Sequence, residues 1–378
     1  MGDSESNAVQ VQAAGVSRER SLPALGSISA VVCNYNGMAY LERCLQALVD
    51  LGEQLAEIVV VDNLSTDGGR EFIKKRFPNV RLIEMEDNGG PAKARNRGYA
   101  EARHRWVLTL DNDAIVTPGM LERLVEAAQD ERRPVILQPR SVFAAEPDRV
   151  HYDGGFLHYA GLICLRNFYT PVAEAEGQGI EPVDVAIAVC LLMDKERILE
   201  LGGYDERYFI LFEDLDLSMR LRRVGETILS VEDAIVLHDE GTAGISFRDG
   251  PSYPKQRVFF HSRNRWLYLL RCHRLRTLFV SAPGLLLYEG FWLAFAVKQG
   301  ALGAWIRGKW AFVRLLPESL EKRRFLRSHA QRSDRTLLQG GPLTVTPAVA
   351  RGGWMKRAVG LLDGGLRAWW GLARHVPW

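Results

Sequence analysis

Short apolar runs rich in Val, Ile and Leu alternate with stretches in which apolar residues recur every three or four positions. The runs at 28–33, 57–61, 80–85 and 106–110 predict strands, and the stretches at 40–51, 70–77, 91–103 and 118–129 predict helices. In the first helix Leu41, Leu45 and Leu48 share one face, and Pro91 suits the first turn of the third. Strands alternating with helices predict βαβ units around a mostly parallel sheet. Residues 139–182 lose this rhythm, carry many Gly, Pro and aromatic residues, and read as an irregular insertion. Regularity returns with an apolar strand at 183–193, helices at 195–201 and 214–224, and strands at 227–231 and 234–237. There are no internal repeats.

Polar residues gather where these strands end. Asn34, Asp62, Asn88 and Asp111 each follow one of the first four runs. In open α/β sheets ligands bind beyond the carboxyl ends of strands. Asp111-Asn112-Asp113 stands directly after 106–110, and carboxylates so spaced can share a hard divalent cation, which commonly also takes substrate phosphates. A second acidic cluster, Glu213-Asp214-Leu215-Asp216, comes about a hundred residues on, and His238 closes the run 234–237. A carboxylate near the metal but not bound to it can serve as general base. Each group also has a plainer role open to it. Asp-Asn-Asp is common in solvated turns, and Asp62 can cap a turn through its own backbone. Asp214 can cap a helix, with Asp216 as the alternative base. Arg95 can lie on a solvated face beside Lys93 and Arg97, and His238 can be structural.

Charge divides the chain. Residues 1–245 hold 25 Lys and Arg against 40 Asp and Glu, a balance of −15; residues 246–378 hold 23 against 6, a balance of +17. A basic half implies an anionic partner, lipid or nucleic acid. Past His238 arginines punctuate an aromatic helical pattern, and 278–297 is nearly all apolar, interrupted by Pro283, Gly284, Glu289 and Gly290. That length suffices to span a bilayer, yet basic flanks on both sides conflict with the positive-inside tendency. A re-entrant or surface-lying helix fits better. Trp305, Trp310, Trp354, Trp369, Trp370 and Trp378, interleaved with Arg and Lys, have the composition of interfacial helices. Five scattered cysteines with no Cys-x-x-Cys pair favour a reducing compartment. The expected organisation is a disordered tail at 1–27, with no signal-peptide pattern, an α/β domain at 28–245, and a basic, Trp-rich helical region at 246–378.

Several of these blocks together resemble family 2 glycosyltransferases. The opening strand 28–37 (ISAVVCNYNG), the loop 59–68 (VVVDNLSTDG) and the segment 88–98 (NGGPAKARNRG) follow the family's nucleotide-binding half. Leu110-Asp111-Asn112-Asp113 resembles its metal motif. Gly202-Gly203-Tyr204-Asp205-Glu206 with 212–220 (FEDLDLSMR) resembles its acceptor-side and base motif. The resemblance covers about residues 28–240. It implies a GT-A fold and an inverting, single-displacement transfer of sugar from a nucleoside diphosphate. It further implies Asp214 as base, and Asp111, Asp113 and His238 holding Mg2+ or Mn2+. Asn34, Asp62, Asn88, Arg95 and Asp111 would contact the donor. The basic tail is similar in composition to those of bacterial members that build surface glycans. By that analogy the donor is dTDP- or UDP-linked, with dTDP-rhamnose foremost, the acceptor a lipid-linked glycan, and the place the cytoplasmic face of an anionic membrane.

Three rival functions fit the sequence less well. A nucleotidyltransferase needs a Gly-rich, cation-bearing loop after the first strand, where this chain has Asn34-Tyr35-Asn36-Gly37. An inactive membrane scaffold is at odds with the retained Asp113 and Asp214. A nucleic-acid binder lacks a recognised motif or a spaced stacking platform, so no nucleic-acid partner is expected.

Overall fold

The structure is a computed structural model that describes residues 21–177, 179–239, 253–345 and 353–376. Most of the tail expected at 1–27, and the boundary expected near 245, fall outside the described residues.

The first half follows the predicted alternation: β1 (Ile28–Asn34), α1 (Met38–Asp50), β2 (Glu57–Asp62), α2 (Gly69–Arg76), β3 (Arg81–Glu84), α3 (Gly90–Glu101) and β4 (Trp106–Asp111). β1 pairs in parallel with β2 and β4, and β2 with β3. Both faces of β1 are covered, which is why it reads as an unbroken apolar run. Ile28, Ala30 and Val32 pack with Leu41, Cys44, Leu45 and Leu48 of α1. Val31 and Cys33 pack with Ala94 and Tyr99 of α3 on the other side. A Cβ at Gly98 would lie 2.3 Å from Val31 Cγ1, so α3 rests on β1 at a distance only glycine allows.

Beyond β4 the expected insertion at 139–182 instead contributes strands to this sheet and two strands to a second, smaller sheet. There follow β5 (Ala114–Val116), α4 (Met120–Ala127), β6 (Ile136–Phe143), β7 (Val150–Tyr152), β8 (Gly155–His158), β9 (Leu162–Leu165) and β10 (Ile180–Val183). Every one of these strands but β6 is three or four residues long, too short for a legible alternation. The apolar run 183–193 divides: β10 ends at Val183, and β11 (Cys190–Asp194) runs antiparallel between β4 and β6. α5 (Lys195–Glu200) and α6 (Glu213–Arg223) lead into β12 (Ile228–His238), one strand with a register shift between Val231 and Ile235 where two strands were predicted. The main sheet runs β10-β12-β6-β11-β4-β1-β2-β3. This mixed sheet, parallel from β4 through β1 and β2 to β3, with helices on both faces has the GT-A arrangement.

The last third is helical: α7 (Lys255–Cys272), α8 (Leu275–Lys298), α9 (Leu302–Arg314), α10 (Leu316–Ser328), α11 (Asp334–Leu337), the two-residue β13 (Leu338–Gln339) and α12 (Gly353–Ala373). Pro283 does not break α8 but lies inside it. α8 and α12 run antiparallel: Trp369 Nε1 donates to the Val280 carbonyl at 3.0 Å, and Lys298 Nζ sits 3.8 Å over the Trp354 ring. Their inner faces join Leu157, Tyr159, Tyr208, Leu215 and Met219 in one apolar cluster. On its outer face α8 exposes Leu275, Phe279, Pro283, Leu286, Gly290, Ala294 and Val297, an apolar stripe at helical spacing along the whole helix. α9 exposes Leu302, Ile306, Trp310 and Val313, and α12 exposes Trp354, Leu361 and Leu372. Among the described residues α8 alone is long and apolar enough to cross a membrane.

Candidate active site

A cleft of about 360 Å³ opens at the carboxyl ends of β1 and β4. Asn34, Asn88, Arg95, Asp111, Asp113, Asp214 and His238 all line it, so the fold brings together seven of the eight residues singled out in the sequence. Asp62 is the exception. It is fully buried, accepting from Asn34 Nδ2 at 2.7 Å and from the Ser65 amide at 2.9 Å. Its carboxylate holds Asn34 and the following loop in place and presents no oxygen to the cleft. Asn34 in turn accepts from Asn112 Nδ2 at 2.8 Å. A Cβ at Gly37 would stand 1.9 Å from Asn112 Nδ2, so this bond requires glycine there. Asn88 accepts from Asn63 Nδ2 at 2.9 Å.

The acidic turn and the histidine meet through strand pairing. β12 runs antiparallel to β5 with His238 opposite Ala114, which sets the imidazole beside the turn joining β4 to β5. His238 Nε2 lies 3.2 Å from Asp113 Oδ1. One ligand atom from each of Asp111, Asp113 and His238 falls within 4.8 Å of the others. Burial pushes the Asp111 carboxyl up to about 6; Arg95 opposes the shift and the Asp113 charge adds to it. A divalent cation would relieve that repulsion. Two carboxylates and an imidazole fit Mn2+, and the carboxylate pair fits Mg2+ as well.

The second acidic cluster enters from α6. Phe212 precedes the helix in left-handed conformation (φ 76°), which turns Glu213 and Asp214 of the first helical turn into the cleft. Acids there also suit the positive end of the helix dipole. Burial, with the neighbouring Asp214 charge adding to it, raises the Glu213 carboxyl to about 8. Asp214 is likewise raised by burial, with Arg95 opposing. Its Oδ2 accepts from the Ala188 amide at 3.2 Å. Asp216 points the other way, fully buried, 2.8 Å from Arg220 Nε and 3.2 Å from the Tyr208 hydroxyl. Geometry thus separates the two candidate bases: Asp214 faces the cleft and Asp216 does not. Arg95, read as a cation for diphosphate, is 3% exposed and bridges the two clusters, 2.7 Å from Asp111 Oδ1 and 3.6 Å from Glu213 Oε1. Its first role here is to hold carboxylates.

Four contributors carry no signal in the sequence. His151 on β7 places Nδ1 2.8 Å from His238 Nδ1. Phe209 and Ile210 line the cleft from a loop in which Phe209, Leu211 and Phe212 all have positive φ. Asn264 of α7 holds that loop, donating Nδ2 to the carbonyls of Tyr208, Ile210 and Leu211 at 2.8–2.9 Å. None carries a local signal: each is a single residue set in place by tertiary packing.

Residues 29–187 match the model of the family described as Glycosyl transferase family 2. That stretch is a domain of this family. The protein is a glycosyltransferase, and Glu213, Asp214 and His238 lie beyond the matched span. A 269-residue match at 29% identity covers 65% of this chain and 85% of the N-acetylglucosaminyl-diphospho-decaprenol L-rhamnosyltransferase of Mycobacterium tuberculosis. A shorter match, 33% identical over 113 residues, covers 29% of this chain and 38% of glycosyltransferase GlyG of Streptococcus pneumoniae. Among solved structures, GalNAc-T7 with UDP, GalNAc and Mn2+ overlaps 65% of this chain and 50% of its own at 20% identity (TM-score 0.48). The mannosyltransferase PcManGT of Pyrobaculum calidifontis, in complex with GDP-Man and Mn2+, overlaps 95% and 90% at 15% identity (TM-score 0.46).

Proposed function

We propose that this glycosyltransferase moves a sugar, with inversion, from a nucleoside-diphosphate donor to a lipid-linked glycan acceptor in cell-surface polysaccharide assembly. The observation that carries this is the cleft that Asp214 lines together with the cluster of Asp111, Asp113 and His238. Asn34 and Asn88 meet the nucleoside, with Asp62 acting through Asn34. Asp111, Asp113 and His238 hold the divalent cation, which offsets the charge developing on the diphosphate leaving group. Asp214 takes the proton of the acceptor hydroxyl as its oxygen bonds to the anomeric carbon from the face opposite the breaking carbon–oxygen bond. The bonding electrons leave with the diphosphate. A carboxylate raised by burial is a stronger base than an ordinary one, which suits this task. The mycobacterial relative supports transfer of rhamnose to a polyprenyl-diphosphate-linked acceptor, and the donor of this reading is dTDP-rhamnose. The apolar stripes of α8, α9 and α12, with Arg276, Lys298, Arg307, Arg314 and Arg357 beside them, support docking on the cytoplasmic face of an anionic membrane.

The test incubates the full chain and Mn2+ with dTDP-rhamnose or with UDP-linked hexoses, on an N-acetylglucosaminyl-diphospholipid. Transfer from dTDP-rhamnose with inverted anomeric configuration is expected. Transfer from a UDP-sugar alone replaces the donor, and retained configuration overturns the mechanism.

A further inference from the structure

We infer that His151 is a positioning residue for the metal site: it accepts a hydrogen bond from His238 and so fixes the imidazole tautomer that turns a lone pair toward the cation. This rests on the reading that Asp111, Asp113 and His238 hold that ion. The two Nδ1 atoms are 2.8 Å apart, the ring planes differ by only 19°, and the centroids are 4.8 Å apart. The two nitrogens stand far closer than the centroids, at the distance of an N–H···N bond. Such a bond needs one protonated and one bare nitrogen. His238 points its other nitrogen, Nε2, at the acidic turn. To ligate through Nε2 a neutral His238 must carry its proton on Nδ1, and His151 Nδ1 is then the acceptor. Metal-bound histidines commonly donate their second nitrogen to a carboxylate or carbonyl partner. Here a second imidazole stands in that place.

The fold also fixes His151 itself. β7 pairs antiparallel with β6, and β6 pairs in parallel with β12, so His151 and His238 reach the same end of the sheet from strands flanking β6. The His151 ring stacks on Phe143, with centroids 4.3 Å apart and planes 26° apart, and is 8% exposed. A ring so packed is a fixed acceptor.

The experiment measures Mn2+ binding to the full chain with nucleoside diphosphate by calorimetry. His151→Phe keeps a ring in the stack and removes the acceptor; His151→Asn restores an acceptor atom near Nδ1. The phenylalanine variant should bind Mn2+ roughly 10–100-fold more weakly, the asparagine variant should recover much of that loss, and metal-free melting should stay close to wild type. In a His238→Ala background the His151→Phe change should add nothing. Wild-type affinity in His151→Phe, or an undiminished effect without His238, overturns the inference. Failure of Asn to rescue assigns the loss to packing and overturns it too. A wild-type chain that binds no Mn2+ with nucleoside diphosphate overturns the metal reading itself, and this inference with it.

Discussion

At the scale of single residues, the site divides its carboxylates by what they face. Asp113 lies 4% exposed beside His238, its charge adding to that of Asp111. Asp113→Ala should therefore abolish Mn2+-dependent binding of nucleoside diphosphate, read by calorimetry, while unaltered metal dependence would remove Asp113 from the ligand set. Asp214 and Asp216 are two positions apart and should fail differently. Asp214→Asn should fold and bind donor but turn over roughly 10²–10⁴-fold more slowly. Asp216→Asn removes a buried partner of Arg220 and Arg271 and should chiefly lower the melting temperature. Glu213 yields a pH test. Its carboxyl is raised from 4.5 to about 8 by burial, so the folded state binds its proton more tightly than the unfolded chain does. The stability this contributes is complete below about pH 4.5 and is lost as pH rises through about 8. Glu213→Gln removes the buried charge, so its melting temperature should gain on wild type between pH 5 and pH 8. A constant difference across that range would mean Glu213 stays ionised in the fold.

At the scale of elements, legibility followed length and period. β1 to β4 and α1 to α3 were plain because each carries a full run or a full helical face, and the strand-end residues Asn34, Asn88 and Asp111 were legible with them. β7 to β9 were not: three or four residues hold no period, and their pairing with β6 and with each other is tertiary. His151 was hidden for that reason. A proline usually interrupts a helix, whereas α8 continues through Pro283, packed against α12 along its length. Composition did foretell Trp-rich, basic helices but not which side of each faces out. α8 presents Phe279 at 83% exposure and Leu286 at 65%, and α12 presents Leu361 at 78%. If these stripes enter a bilayer, replacing Phe279, Leu286 and Leu361 together by Glu should release the chain from vesicles containing anionic lipid. Flotation of the variant beside wild type measures it. Full retention would show that basic side chains alone hold the protein to the membrane.

At the scale of the whole molecule, the basic third is not a detachable anchor, although charge divides the chain near residue 245. Asn264 of α7 holds the loop that carries Phe209 and Ile210 into the cleft. Arg271 reaches Asp205 and, at 3.3 Å, Asp216, while Arg223 of α6 pairs with the buried Asp334. Tyr159 stacks on Trp370 with centroids 4.7 Å apart and planes 7° apart. Deleting residues from 253 onward would strip one side from Leu157, Tyr159, Tyr208, Leu215 and Met219. Exposing a large apolar side chain costs about 1.5–3 kcal/mol, and leaving a buried charge without its partner costs about 3–5 kcal/mol. A typical domain has only about 5–15 kcal/mol in hand. The shortened chain should therefore lose its cooperative melt and its nucleoside-diphosphate binding together, even in detergent with no membrane present. Circular dichroism melting and calorimetry on the two chains decide this. A truncated chain that melts cooperatively near the wild-type temperature and still binds would show that the helices only dock the enzyme, and that the nucleotide-binding half stands alone.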